Sequence, residues 1–144
     1  MNVLLVGLGS IGKRHFNNLQ SLKGAYNLSI FKFAPSTYGR NYFIELKKDI
    51  KANKINAVLI CNPTNLHLET LELCLRLKVH AFVEKPLANF YDKKRLGALL
   101  RKTKKENLKV MVGYDMRFNP WIIKLQELVE SKVVGDVWGA RIVA

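Results

Sequence analysis

The sequence predicts an open α/β fold in which a parallel sheet is wound by right-handed helical crossovers. Three observations predict it. Short apolar runs recur at 3–6, 57–61, 79–83 and 108–112, the first with no interior charge, as expected of strands buried on both faces. Segments with apolar residues at helical spacing alternate with these runs. The turns after four of the strands, at 7–12, 62–67, 84–86 and 113–117, gather polar or conformationally special residues. Ligands of such sheets bind beyond the carboxyl ends of the strands.

Asn2–Val6 is the first strand, and Gly7, Gly9 and Gly12 follow it at G-x-G-x-x-G spacing. Gly7 permits the tight turn out of the strand, Gly9 lets a pyrophosphate approach the backbone, and Gly12 lets the helix pack closely on the sheet. Ile11, His15, Leu19 and Leu22 then recur at helical intervals. With a strand before it and a helix after it, the motif has the context of a dinucleotide site. The loop residues Gly7, Gly9, Ser10, Ile11 and Gly12 are its candidate phosphate cradle, since unpaired N–H groups at a helix start favour an anion.

The first helix is predicted over Ile11–Lys23 with Gly24 as its stop, and Leu28–Phe33 as the second strand. Lys32 stands twenty residues past Gly12, near where an NAD site places an acid for the ribose hydroxyls. No acid is present there; Lys32 with Ser36 and Thr37 suits a 2′-phosphate, which favours NADP over NAD. Pro35 and Gly39 mark a loop, after which Phe43, Leu46 and Ile50 form one face of a helix reaching Asn53. So short an interval leaves no room for an ordinary crossover helix plus a further strand, so this part is abbreviated. Ala57–Cys61 is the next strand, followed by a turn at Asn62-Pro63-Thr64-Asn65 and a helix over Leu66–Leu77, with Glu72 and Arg76 as an i, i+4 pair.

After the strand Val79–Val83 comes Glu84-Lys85-Pro86. Asn89 is the expected cap of the next helix, with Asp92 at its third position and Leu96, Leu99, Leu100 and Thr103 on its inner stripe. Leu108–Val112 is a strand, Asn119-Pro120 opens a last helix with Ile122, Leu125 and Val129 inward, and Val137–Val143 reads as a final strand.

The chain has 144 residues, 49% of them apolar, which suits one globular domain with a sizeable core. No apolar run is long enough to span a bilayer, no signal peptide is evident, and Cys61 and Cys74 read as free thiols of a cytoplasmic protein. The formal charge of +13 lies mostly on helix faces and in Lys-rich turns, without interleaved stacking aromatics. It therefore reads as solvated surface that assists anionic ligands rather than as a nucleic-acid site.

Four segments carry a family resemblance: Gly7-Leu8-Gly9-Ser10-Ile11-Gly12-Lys13-Arg14-His15, Cys61-Asn62-Pro63-Thr64-Asn65-Leu66-His67, Glu84-Lys85-Pro86, and Gly113-Tyr114-Asp115-Met116-Arg117-Phe118-Asn119-Pro120. In this order and spacing the chain resembles the N-terminal NAD(P)-binding domain of the Gfo/Idh/MocA oxidoreductases. The resemblance implies a Rossmann-type doubly wound parallel sheet and hydride transfer to or from a carbinol carbon of a sugar, cyclitol or nucleotide sugar. It implies Lys85 as the catalytic lysine and Pro86 as the residue that shapes its turn. Cys61, Asn62 and Pro63 would border the cofactor crevice. His67 would line it, or be a satisfied histidine at a helix start; Glu84 would orient the ribose or pair with Lys85. Tyr114 and Arg117 would stand on the substrate side, and His15 reads as structural. No metal-ligand cluster is evident.

Family members continue into a second α/β domain that supplies an acid–base histidine, most substrate contacts and the oligomer interface. The expectation is a Rossmann domain over 1–136, with 137–144 as the first strand of a truncated second domain. Such a polypeptide would bind cofactor, turn over poorly or not at all, and be a monomer or weak dimer. The rival readings are a non-enzymatic dinucleotide-binding module and a basic nucleic-acid-binding protein.

Overall fold

Four consecutive side chains, Val3 to Val6, are at most 1% exposed, so the strand that carries them is covered on both faces. In the computed structural model, which describes residues 1–35, 38–90 and 92–141, this strand is β1, Asn2–Val6. The other strands are β2 (Ser29–Phe33), β3 (Ala57–Ile60), β4 (His80–Val83) and β5 (Val110–Val112). All pair in parallel in the order β2-β1-β3-β4-β5. The helices are α1 (Ser10–Tyr26), α2 (Tyr42–Ala52), α3 (His67–Arg76), α4 (Lys93–Lys105) and α5 (Pro120–Glu130). The predicted alternation is therefore borne out, and among the described residues β2 forms an edge with no strand beyond it, in keeping with the abbreviated segment before α2.

The register decides which side chains meet which helices. Leu4 and Val6 share a face with Phe31 and Phe33, and this face is buried against Tyr42, Leu46 and Ile50 of α2 and Leu71 and Leu75 of α3. Leu5 and Lys32 pair on the opposite face, where the Lys32 ammonium lies over the ring of Phe16 on α1. Helices thus flank both faces, which is the doubly wound arrangement.

Several expected details are corrected. Helix α1 runs through Gly24 and stops at Asn27, which takes the left-handed conformation at φ 49° while Leu28 N–H bonds back to Lys23 O. Asparagine accepts that conformation with little strain, so a helical Gly24 need not end the helix. Tyr42, rather than Phe43, is the buried member at the start of α2. Asp92, rather than Asn89, caps α4, accepting from Lys94 N and Arg95 N. Leu100 is 58% exposed and leaves the inner stripe to its neighbours. Glu72 bonds Arg95 of α4, a partner distant in sequence, rather than supporting the expected pairing with Arg76.

The chain divides into two compact units, Met1–Gly113 and Tyr114–Ala144. Within the second, Asn119 caps α5 by accepting from Trp121 N, as its Asn-Pro start predicts. Leu125 and Val129, expected inward, are 51% and 40% exposed, because one helix and a short 3-10 turn are too little chain to close a core. The strand expected over Val137–Val143 is not formed in its described part, 137–141; the remaining positions lie outside the described residues. A lone strand without a neighbour to bond gains nothing from being extended.

Candidate functional site

The strand order reverses direction between β1 and β3, and the turns that leave these two strands, 7–12 and 62–67, lie at that point. A crevice opens where crossovers from adjacent strands leave in opposite directions. The turn Gly7–Gly12 and the turn after β3 are in direct contact: a Cβ on Gly7, whose φ is +93°, would fall 2.5 Å from Cys61 O. Gly12 is closed in likewise, its would-be Cβ 2.1 Å from Gly7 O. Gly9 is the opposite case, with nothing within 4 Å of its would-be Cβ, so the open side of the loop is where the middle glycine stands. Helix α1 begins there without a side-chain cap and with no acidic residue in its first turn. Its leading N–H groups suit an anion.

Beside this loop lies a cleft of about 350 Å³ lined by Ile11, Cys61, Asn62, Pro63, Thr64, His67, Glu84 and Lys85. The structure thus brings together residues from three strand-end turns that are distant in sequence. Lys85 is exposed, and the Lys85–Pro86 peptide is cis. Glu84, 9% exposed, has both oxygens engaged: Oε1 is 2.6 Å from His15 Nε2, and Oε2 accepts from Lys85 N at 3.1 Å. His67 is a satisfied histidine at a helix start and also lines this cleft. It starts α3, lines the cleft, is 2% exposed, and places Nδ1 2.8 Å from Pro86 O and Nε2 2.9 Å from Asn62 O.

Asn62 donates from Nδ2 to Tyr42 Oη at 2.8 Å and to Thr70 Oγ1 at 2.9 Å, while its Oδ1 is buried with no partner among the described residues. Burial first, and the charge of Glu84 second, push the Cys61 thiol from 9.0 up to about 12; burial does the same to Cys74. Neither cysteine is therefore a thiolate near neutral pH. No group of side chains suited to a metal occurs among the described residues.

Three expected site residues, Lys32, Tyr114 and Arg117, are not among those that line the cleft. Lys32 lies within β2, its ammonium 4.7 Å from the Phe16 ring centroid, and Ser36 and Thr37 lie outside the described residues. Tyr114 and Arg117 belong to the second unit, where Arg117 N bonds Tyr114 O and both side chains are exposed. Sequence reasoning missed the contact between His15 and Glu84, the Tyr42–Asn62–Thr70 cluster and the platform of Phe16. Only the spacing of His15, one helical turn after Gly12, hints at any of these.

A glycine loop held against a neighbouring strand end, an uncapped helix start and a cleft at the reversal of strand order together define a dinucleotide-binding α/β domain. The chain belongs to the Gfo/Idh/MocA group, described as an oxidoreductase family with an NAD-binding Rossmann fold, whose model matches residues 1–114. It is 31% identical to myo-inositol 2-dehydrogenase of Thermotoga maritima, over 99% of this chain and 44% of that one. It is 29% identical to 4-carboxy-2-hydroxymuconate-6-semialdehyde dehydrogenase of a Sphingobium species, over 93% of this chain and 43% of that one. Among solved structures, a probable dehydrogenase from Thermotoga maritima matches with a TM-score of 0.63 at 26% identity, covering 94% of this chain and 42% of that chain. Scyllo-inositol dehydrogenase from Lactobacillus casei, solved with NAD(H) and scyllo-inositol, shares the fold with a TM-score of 0.69 at 23% identity, over 94% and 42%. The chain thus spans less than half the length of these relatives. Among the described residues, no helix is long and apolar enough to cross a membrane.

Proposed function

We propose that this chain is the nucleotide-binding half of a cytoplasmic oxidoreductase that moves a hydride to or from a carbinol carbon of a sugar or cyclitol, with NADP preferred to NAD. The observation that carries the reading is the cleft at the strand reversal, lined by Ile11 of the uncapped start of α1 and by Lys85, beside a loop whose Gly9 is open. The residues present fit a dinucleotide: Gly9 leaves room for a pyrophosphate, and the N–H groups of Ser10 and Ile11 begin the helix that would face it. Cys61, Asn62, Pro63 and His67 would form the wall beyond the pyrophosphate.

The bound dinucleotide supplies the hydride acceptor or donor. The chain's part is to hold a cation at the carbinol oxygen: the Lys85 ammonium stabilises alkoxide character there and can pass the hydroxyl proton. The NADP preference is supported by the lack of any acid before Glu45, which leaves the end of β2 without a carboxylate for ribose hydroxyls, while Lys32 supplies a cation. Relatives named for inositol support the substrate class.

Calorimetric titration with NADP and NAD tests the cofactor reading. Saturable binding of NADP, weakened by Lys32→Asp, is expected. Failure of both nucleotides to bind would overturn the function, and an NAD preference untouched by Lys32→Asp would overturn the choice of cofactor. In the enzyme that carries this domain, Lys85→Ala is expected to lower turnover; unchanged turnover removes Lys85 from the chemistry.

A further inference from the structure

We infer that His15 and His67 are positioning residues that strap the Lys85 turn at its two ends, and so hold the lysine in register with the dinucleotide loop. The inference rests on the role of Lys85 proposed above. A lysine on an exposed turn has a mobile base unless the turn itself is fixed. The turn's own hydrogen bond, Lys85 N–H to Glu84 Oε2, exists only while the Glu84 carboxylate folds back over its backbone. His15 supplies the constraint, its Nε2 2.6 Å from Glu84 Oε1.

His15 is itself fixed. It stands one helical turn past Gly12 on α1, and its ring meets Phe82 edge-on, with centroids 5.3 Å apart. Across the slot a Cβ on Gly113 would fall 2.9 Å from Phe82 Cζ and 3.3 Å from Glu84 Oε1, so only a glycine leaves the pair its space. At the other end His67 reaches Pro86 O, and its second nitrogen faces Asn62 O in the turn after β3. A neutral ring carries one N–H for these two carbonyls, and a protonated ring carries one for each. Each histidine therefore joins the Lys85 turn to a different wall of the cofactor cleft. Movement of the α1 start is transmitted to the base of Lys85 through one side-chain contact.

The test uses this chain, NADH titration and the amide spectrum of Lys85. His15→Phe keeps a ring against Phe82 and removes the donor; His15→Gln keeps a donor. His15→Phe is expected to raise the NADH Kd about tenfold or more, as for loss of a hydrogen bond to a charged group, and to abolish the slow exchange of the Lys85 amide proton. His15→Gln is expected to restore most of both at an unchanged melting temperature. Wild-type affinity and an unshifted Lys85 amide in His15→Phe would overturn the strap, as would a Gln variant no better than Phe. If the wild type binds neither NADH nor NADPH, the dinucleotide reading fails, while the amide comparison still decides the strap. For His67, whose substitution can unfold the chain, the wild-type ring is measured instead. A slowly exchanging ring N–H supports its clamp on the two carbonyls; exchange at the solvent rate overturns it.

Discussion

A methyl group on Gly12 would lie 2.1 Å from the carbonyl oxygen of Gly7, and 3.0 Å from its carbonyl carbon. Both are backbone atoms of a turn that is itself pressed against Cys61, so neither can yield. Gly12→Ala is therefore expected to destabilise the fold by at least about 1–3 kcal/mol, the cost of overpacking. Gly9→Ala is expected to behave differently. Its backbone, at φ −63° and ψ −172°, is open to any residue, and nothing lies within 4 Å of the added carbon. The melting point should move by the equivalent of about 1 kcal/mol or less, as for a changed helix cap. NADH affinity should nevertheless fall, because the methyl would take the space proposed above for the pyrophosphate. Thermal unfolding and NADH titration of the two variants check both halves of the contrast.

Cys61 and Cys74 are expected to resist thiol reagents in the native protein and to react at once when it is unfolded. Their thiols, raised from 9.0 to about 12, are almost wholly protonated at neutral pH. The sign for stability follows from the same shifts. The folded state holds these protons more tightly than the unfolded state, so the contribution is fully present below about pH 9 and is lost as pH rises towards 12. A Cys61→Ser, Cys74→Ser double variant should show a shallower loss of stability over that window in chemical denaturation.

Arg95 of α4 bonds two carboxylates of α3, Glu72 through Nε at 2.7 Å and Glu69 through Nη2 at 3.1 Å. The guanidinium side chain is 34% exposed, so solvent screens both pairs. Arg95→Ala is expected to cost about 1 kcal/mol, and that difference should shrink in high salt. Denaturation midpoints at low and high ionic strength measure it.

Asp92→Ala is expected to destabilise the chain by about 1 kcal/mol, since its carboxylate caps both Lys94 N and Arg95 N. Asn89→Ala, at the position sequence reasoning prefers for the cap, should be neutral within about 0.5 kcal/mol. Equal effects in the two melting curves would reassign the cap.

The helix–strand alternation, the glycine turn and the Asn-Pro start of α5 were legible because each is a local matter. Period, cap chemistry and glycine geometry act over a few residues, and the protein follows them at β1, α1 and α5. Errors cluster where two local choices are nearly equal, as between Asn89 and Asp92, or between a helical Gly24 and a left-handed Asn27. They also occur where a partner is remote: nothing near Glu72 in sequence announces Arg95, twenty-three residues on.

Taken alone, then, the amino-acid order determined the fold class, the place of the glycine turn and the family to which the chain belongs. Tertiary structure decided what Glu84 does: a carboxylate beside a lysine has several partners within reach, and only the packing of α1 on the sheet puts His15, sixty-nine residues earlier, 2.6 Å away. It likewise decided that Gly9 is open while Gly7 and Gly12 are closed. Local rules specify backbone shape within a segment. Which groups are desolvated and paired depends on where the other segments come to rest, and the strand order together with the packing of the helices on the sheet sets that.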